Sequence, residues 1–168
     1  MKNEISKKIS EIATNSLMLF FQGSYKKHIE DIYKNVLLAK NENLFKKELL
    51  YLGYCQAIDS IRLSKFGSQS VGIEAKKKLE EIFIRDYISA FYEDKNTDEL
   101  TEEYNSKMDE MLLRDEKCNN DDLRYLLLTI KTFNNRIDVE ISGKKTFEFV
   151  MLIQLIQSKT IKEINLIS

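Results

Sequence analysis

The chain holds one histidine, His28, the residue type that most often serves as a general base. Ser24 stands one helical turn before it, so a serine–histidine pair on a shared helix face is the simplest nucleophile and base that the residue types allow. Such a pair needs an orienting third group, which is a matter of tertiary geometry and not of sequence spacing. The local pattern instead reads as an exposed histidine near a helix start. No arginine precedes His28, which excludes a helical ribonuclease built on an arginine just ahead of its histidine.

Metal chemistry is similarly short of ligands. Cys55 and Cys118 lie far apart, and with one histidine they cannot make a four-ligand zinc site. The Glu-x-x-His pairs of di-iron bundles do not occur. The acidic run from Asp115 to Asp122 lacks the glycine and the alternating oxygen ligands of a calcium loop. Glu99 and Glu102 supply a Glu-x-x-Glu, half of a helical magnesium cluster, but no Glu-x-x-Asp exists to complete it. Neither glycine-rich phosphate loop is present. We therefore expect no cofactor, no metal and no catalytic residue. A metal-dependent helical enzyme stays as one alternative.

Charge distribution is the feature that remains. Residues 93–122 carry twelve carboxylates against four cations, a net of −8, while the rest of the chain sums to +7 and the total is −1. A concentrated acidic surface speeds encounter with a basic protein and disfavours nucleic acid. The expected function is accordingly non-enzymatic protein binding, as an inhibitor or immunity protein that occludes a basic partner. The expected contact residues are Glu99, Glu102, Glu103, Asp109 and Glu110, with Tyr104 and Met108 as apolar anchors that could equally face the core. A second alternative, a nucleic-acid-binding regulator, would use Lys26-Lys27, Lys46-Lys47 and Lys76-Lys77-Lys78. Lysines outnumber arginines 21 to 5, a compositional bias that weakens any reading of them as selected contacts.

The elements that must position these residues are mostly helices. The chain has 168 residues, no proline and five glycines, which suits one domain of long uninterrupted helices. Apolar residues recur at helical spacing in six stretches. These run through Ile5–Phe20, Tyr25–Leu37, Leu44–Phe66, Ala75–Phe91, Leu100–Leu112 and Leu123–Phe133. In the fourth, Ala75, Leu79, Ile82, Phe83, Tyr87, Ala90 and Phe91 form one continuous stripe. The fold class is thus mainly α, about six amphipathic helices in a bundle. A single domain spans 1–168, with a helical core over 1–134 and a distinct segment over 135–168.

That last segment changes period. Ile137, Val139 and Ile141 alternate with Asp138 and Glu140, and Ile164 and Leu166 alternate around Asn165. Between them a helix starting near Thr146 is apolar around most of its circumference, which predicts burial. We expect a small β-α-β element here, with an extended loop and a longer helix as the alternative. Its unpaired edge would invite a homodimer through the C-terminal segment. No apolar run is long enough to span a membrane. Lysines before Leu17–Phe21 faintly suggest a leader, but polar interruptions favour an amphipathic first helix. Two unpaired thiols suit a reducing, cytoplasmic setting.

Overall fold

A computed structural model describes residues 1–37, 42–91, 96, 98–107 and 123–168, without the side chains of 36, 37, 91 and 123–125. Its elements are α1 (Lys2–Leu19), α2 (Gly23–Ile32), α3 (Lys34–Leu37), α4 (Glu42–Leu63) and α5 (Ser70–Ile82). A π-helical stretch (Phe83–Ile88) and a short 3₁₀ turn (Ser89–Phe91) extend α5. Helix α6 covers 98–107, and α7 (Leu123–Arg136) and α8 (Gly143–Asn165) complete the chain. No strand occurs among the described residues, so the chain is a helical bundle.

The bundle is organised around α4. From Leu49 to Ile58 this helix carries no charge, and a helix that is apolar on all sides must be surrounded. On one side Phe45, Leu49 and Leu52 join α2, α7 and α8 in a core that holds Tyr33, Phe133 and Phe149 edge to face. The Tyr33 hydroxyl donates to Asn134 Oδ1 at 2.7 Å, which satisfies the polar end of that ring. On the other side Leu50, Tyr51, Tyr54, Ala57 and Ile61 join α1, α5, Phe83 and α6 in a second core. Between the two, Gly53 lets α1 approach. A Cβ at that position would lie 2.7 Å from Leu17 Cδ1 and 3.2 Å from Phe20 Cδ2.

Two expectations fail for identifiable reasons. The first concerns the stripe on α5. The π stretch inserts one residue, so the fully buried position after Phe83 is Ile88, while Tyr87 packs against the core only partly buried. Ala90 is consequently exposed.

The second is the β-α-β element, which does not form. Helix α7 ends in a left-handed cap with Asp138 at φ 53°. The Val139 N–H donates to Asn134 O at 2.9 Å and the Asp138 N–H to Asn135 O at 3.2 Å, the paired bonds of a Schellman motif. Ile137, Val139 and Ile141 all turn toward the Phe133 core, so their alternation reflects a tight cap, not a strand. Downstream, Leu152, Ile153, Ile156, Thr160 and Ile164 are buried at three- and four-residue spacing, which carries α8 through the second expected strand. Ser142 Oγ caps α8 by accepting the Lys145 N–H. The α8 terminus docks through Asn165 Oδ1, which accepts the Lys65 N–H at 2.8 Å.

Candidate functional site

The described part of the acidic segment is α6. Its start is a capping box. The Glu99 N–H donates to Asn96 Oδ1 at 3.0 Å and the Asn96 N–H donates to Glu99 Oε2 at 3.1 Å. Glu99 is therefore committed to its own helix terminus, where the dipole also favours a carboxylate. Glu103 turns inward and pairs with Lys47 of α4 at 3.6 Å, with both side chains largely covered.

Tyr104 is 5% exposed and is not a surface anchor: burial of its ring against α4 and Phe83 outweighs any exposed role. Its hydroxyl lies 2.6 Å from that of Tyr54, whose ring stacks on Phe83 at 4.0 Å. Burial pushes the Tyr104 hydroxyl up to about 12 and the Tyr54 hydroxyl higher still.

Lys107 closes the inner face of α6. It donates to Glu48 Oε1 at 2.6 Å, while Arg136 of α7 donates to Glu48 Oε2 at 3.2 Å. Desolvation lowers the Lys107 pKa despite that carboxylate. Among the described residues of α6, Asp98, Glu99 and Glu102 are exposed without an ion pair; Glu99 caps the helix start, and Asp98 and Glu102 stand one turn apart. The structure thus splits the four described carboxylates instead of gathering them. Met108, Asp109 and Glu110 lie outside the described residues, as do six further acids of the segment and Cys118.

The lysine clusters are also divided. Lys78 donates to Ser6 Oγ at 2.9 Å and to the Asn3 side chain. Lys26 pairs with Glu30 and Lys46 with Glu42, each four residues away on its own helix. Each cluster therefore gives at least one cation to an intramolecular partner. No group of three or more His, Cys, Asp or Glu side chains lies together among the described residues.

One surface was not anticipated. Helix α8 buries Phe149, Val150, Leu152 and Ile153 on its inner side, yet Phe147, Met151 and Leu155 are 58%, 48% and 57% exposed. These three stand at successive four-residue steps, so they form one stripe about 12 Å long. With His28 of α2, Glu148 and Leu152 they line an open groove of about 420 Å³ between α2 and α8. His28 is exposed, as the sequence suggested, and Ser24 is exposed beside it. The signal for this surface was present: α8 is apolar on nearly all sides. It was read as complete burial, but the bundle covers only part of the circumference.

No helix among the described residues is long and apolar enough to cross a membrane. Comparison of the chain with protein-family models, with curated proteins and with solved structures finds no match.

Proposed function

We propose that this protein is a non-catalytic binding module that engages another protein through the groove between α2 and α8. The observation that carries this is the exposed Phe147–Met151–Leu155 stripe. Single exposed apolar side chains are ordinary, whereas three large ones aligned on a helix beside a groove mark an interaction surface. The test is affinity capture from the native host with the wild-type chain and with Met151→Glu, each checked for unchanged helical circular dichroism. A partner retained by the first and lost with the second supports the reading. A partner set identical for both removes it.

The acidic segment supports a second reading, an inhibitor or immunity protein that occludes a basic partner. Asp98 and Glu102 favour it, because both carboxylates face open solvent one turn apart and repel weakly, a cost that only the helix dipole at Asp98 offsets. Changing both to asparagine should leave stability within about 0.5 kcal/mol of wild type. If the reading holds, the same change slows association with the captured partner, more so at low salt.

A further inference from the structure

We infer that the occupant of the α2–α8 groove is an amphipathic helix of a partner protein whose apolar stripe is flanked at both ends by acidic residues. This rests on the groove being a docking surface and adds what fills it. The stripe of α8 does not end at Leu155. At helical spacing it continues through Ser158 to Lys162, and in the other direction it begins at Lys144. Both lysines are exposed, and neither has an ion-pair partner among the described residues. The face is therefore apolar in the middle and positive at its two ends, which lie roughly 27 Å apart along the helix axis. Glu148 stands one turn from Lys144 and Glu163 next to Lys162, but Lys145 and Lys159 add a second cation at each end, so each end sums to +1.

Three occupants would bury the apolar side chains, and charge and shape separate them. A second copy of this chain is disfavoured by the lysines. In a two-fold pair of α8 helices, a parallel arrangement sets Lys144 against Lys144. An antiparallel one about residue 153 sets Lys144 against Lys162. Both oppose like charges at each end of the contact. An anionic bilayer would satisfy the lysines but not the shape. A flat surface would take in the protruding side chains but leave the cleft beside them, above the 8% exposed Leu152, unfilled. A partner helix laid along the groove satisfies both. Its apolar residues, at three- and four-residue spacing, meet Phe147, Met151 and Leu155, and carboxylates about five turns apart meet Lys144 and Lys162.

The experiment uses the full chain and two fluorescently labelled synthetic helices of about six turns. Both carry leucines at three- and four-residue spacing over the central turns. One has glutamates at both ends and its twin has lysines. Fluorescence anisotropy should show the acidic peptide binding at least about tenfold more tightly than its twin. That preference should shrink as salt is raised from about 0.1 M to about 1 M, where the screening length falls from about 10 Å to about 3 Å. Lys144→Glu with Lys162→Glu should reverse the preference, and Met151→Glu should weaken both peptides at least about tenfold.

Equal binding of the twins, preference for the basic one, or binding of neither overturns the acidic-helix assignment. So does co-sedimentation with phosphatidylserine vesicles that Met151→Glu abolishes. Self-association by light scattering that is lost in Met151→Glu overturns it as well, in favour of a second copy. If the peptides fail while a Met151-dependent partner is still captured, the groove stands and only its occupant is wrong. If the captured partners are also indifferent to Met151, the docking reading itself falls.

Discussion

Replacing Glu48 by glutamine removes one charge from the centre of the bundle while nearly preserving shape. Glu48 is 4% exposed and lies between two cations, Lys107 at 2.6 Å and Arg136 at 3.2 Å. The carboxylate joins three helices, α4, α6 and α7, and no packing change accompanies its neutralisation. Removing one member of a buried ion pair costs about 3–5 kcal/mol, because the remaining charge stays buried without compensation. Here Lys107 and Arg136 retain 16% and 19% side-chain exposure, so water shares some of the load. A cost of roughly 2–4 kcal/mol is the resulting expectation. For a domain of this size each kcal/mol lowers Tm by about 2–4 °C, so the drop should be roughly 5–15 °C. Thermal and urea unfolding followed by circular dichroism would measure it. The cause is isolated by a double-variant cycle with Lys107→Gln. The double variant should be less destabilised than the sum of the singles by about 1–2 kcal/mol, since removing both charges leaves fewer uncompensated. A Glu48→Gln variant within about 0.5 kcal/mol of wild type, or strictly additive singles, would mean that the carboxylate is not what neutralises these cations.

Three further outcomes follow from local geometry. Gly53→Ala gains about 1 kcal/mol of helix propensity but places a Cβ 2.7 Å from Leu17, and overpacking of about 1–3 kcal/mol outweighs the gain; Gly53→Val should be worse, both read by urea denaturation. At Asp138, held at φ 53°, valine should be less stable than glycine by about 2 kcal/mol, because a β-branched residue resists the left-handed region. Stability should fall as pH rises from about 10 toward 12. Tyr104 loses its proton near 10 in the unfolded chain but only at about 12 when folded, so the folded state binds more protons across that window. Tyr33 and Tyr54 are raised further by burial and add to the same loss; an unfolding midpoint independent of pH over that range, with tyrosinate absorbance rising in one step near 10, would contradict it.

The helices were legible wherever an apolar stripe faced one core. Leu123–Phe133 and the stretch after Thr97 fall on α7 and α6 because each has a single inward face. Helices with more than one buried face, or with an irregular turn, were less legible. On α4 a single stripe would put Phe45, Leu49, Leu52 and Cys55 inward, but Leu50, Tyr51, Tyr54 and Ala57 are just as buried, because the helix has cores on two sides. The uncharged run from Leu49 to Ile58 was the visible sign. The π stretch was not legible: a one-residue insertion leaves residue types unchanged and alters only which of them face inward. The C-terminal segment misled because Ile137, Val139 and Ile141 satisfy strand periodicity by composition. A left-handed residue between the first two gives the same exposure pattern in two tight turns.

The candidate site was harder to see than the fold, for a reason that lies in how charge and burial combine. Net charge along the chain adds residues regardless of direction, so the −8 of residues 93–122 looked like one surface. A helix docked on α4 has an inner and an outer face, and it divides its charges between them. Glu103 and Lys107 serve the interior, Glu99 caps the helix start while facing solvent, and Asp98 and Glu102 are left to solvent without such a role. The apolar signal of α8 failed in the opposite sense. An all-round apolar helix promises cover on every side, but a bundle supplies neighbours only where other helices run. What is left uncovered, Phe147, Met151 and Leu155, is an excess of apolar area over what the described residues bury. An excess of that kind, lined up beside a groove and closed at both ends by lysines, is the physical ground for expecting the missing cover to come from a second molecule.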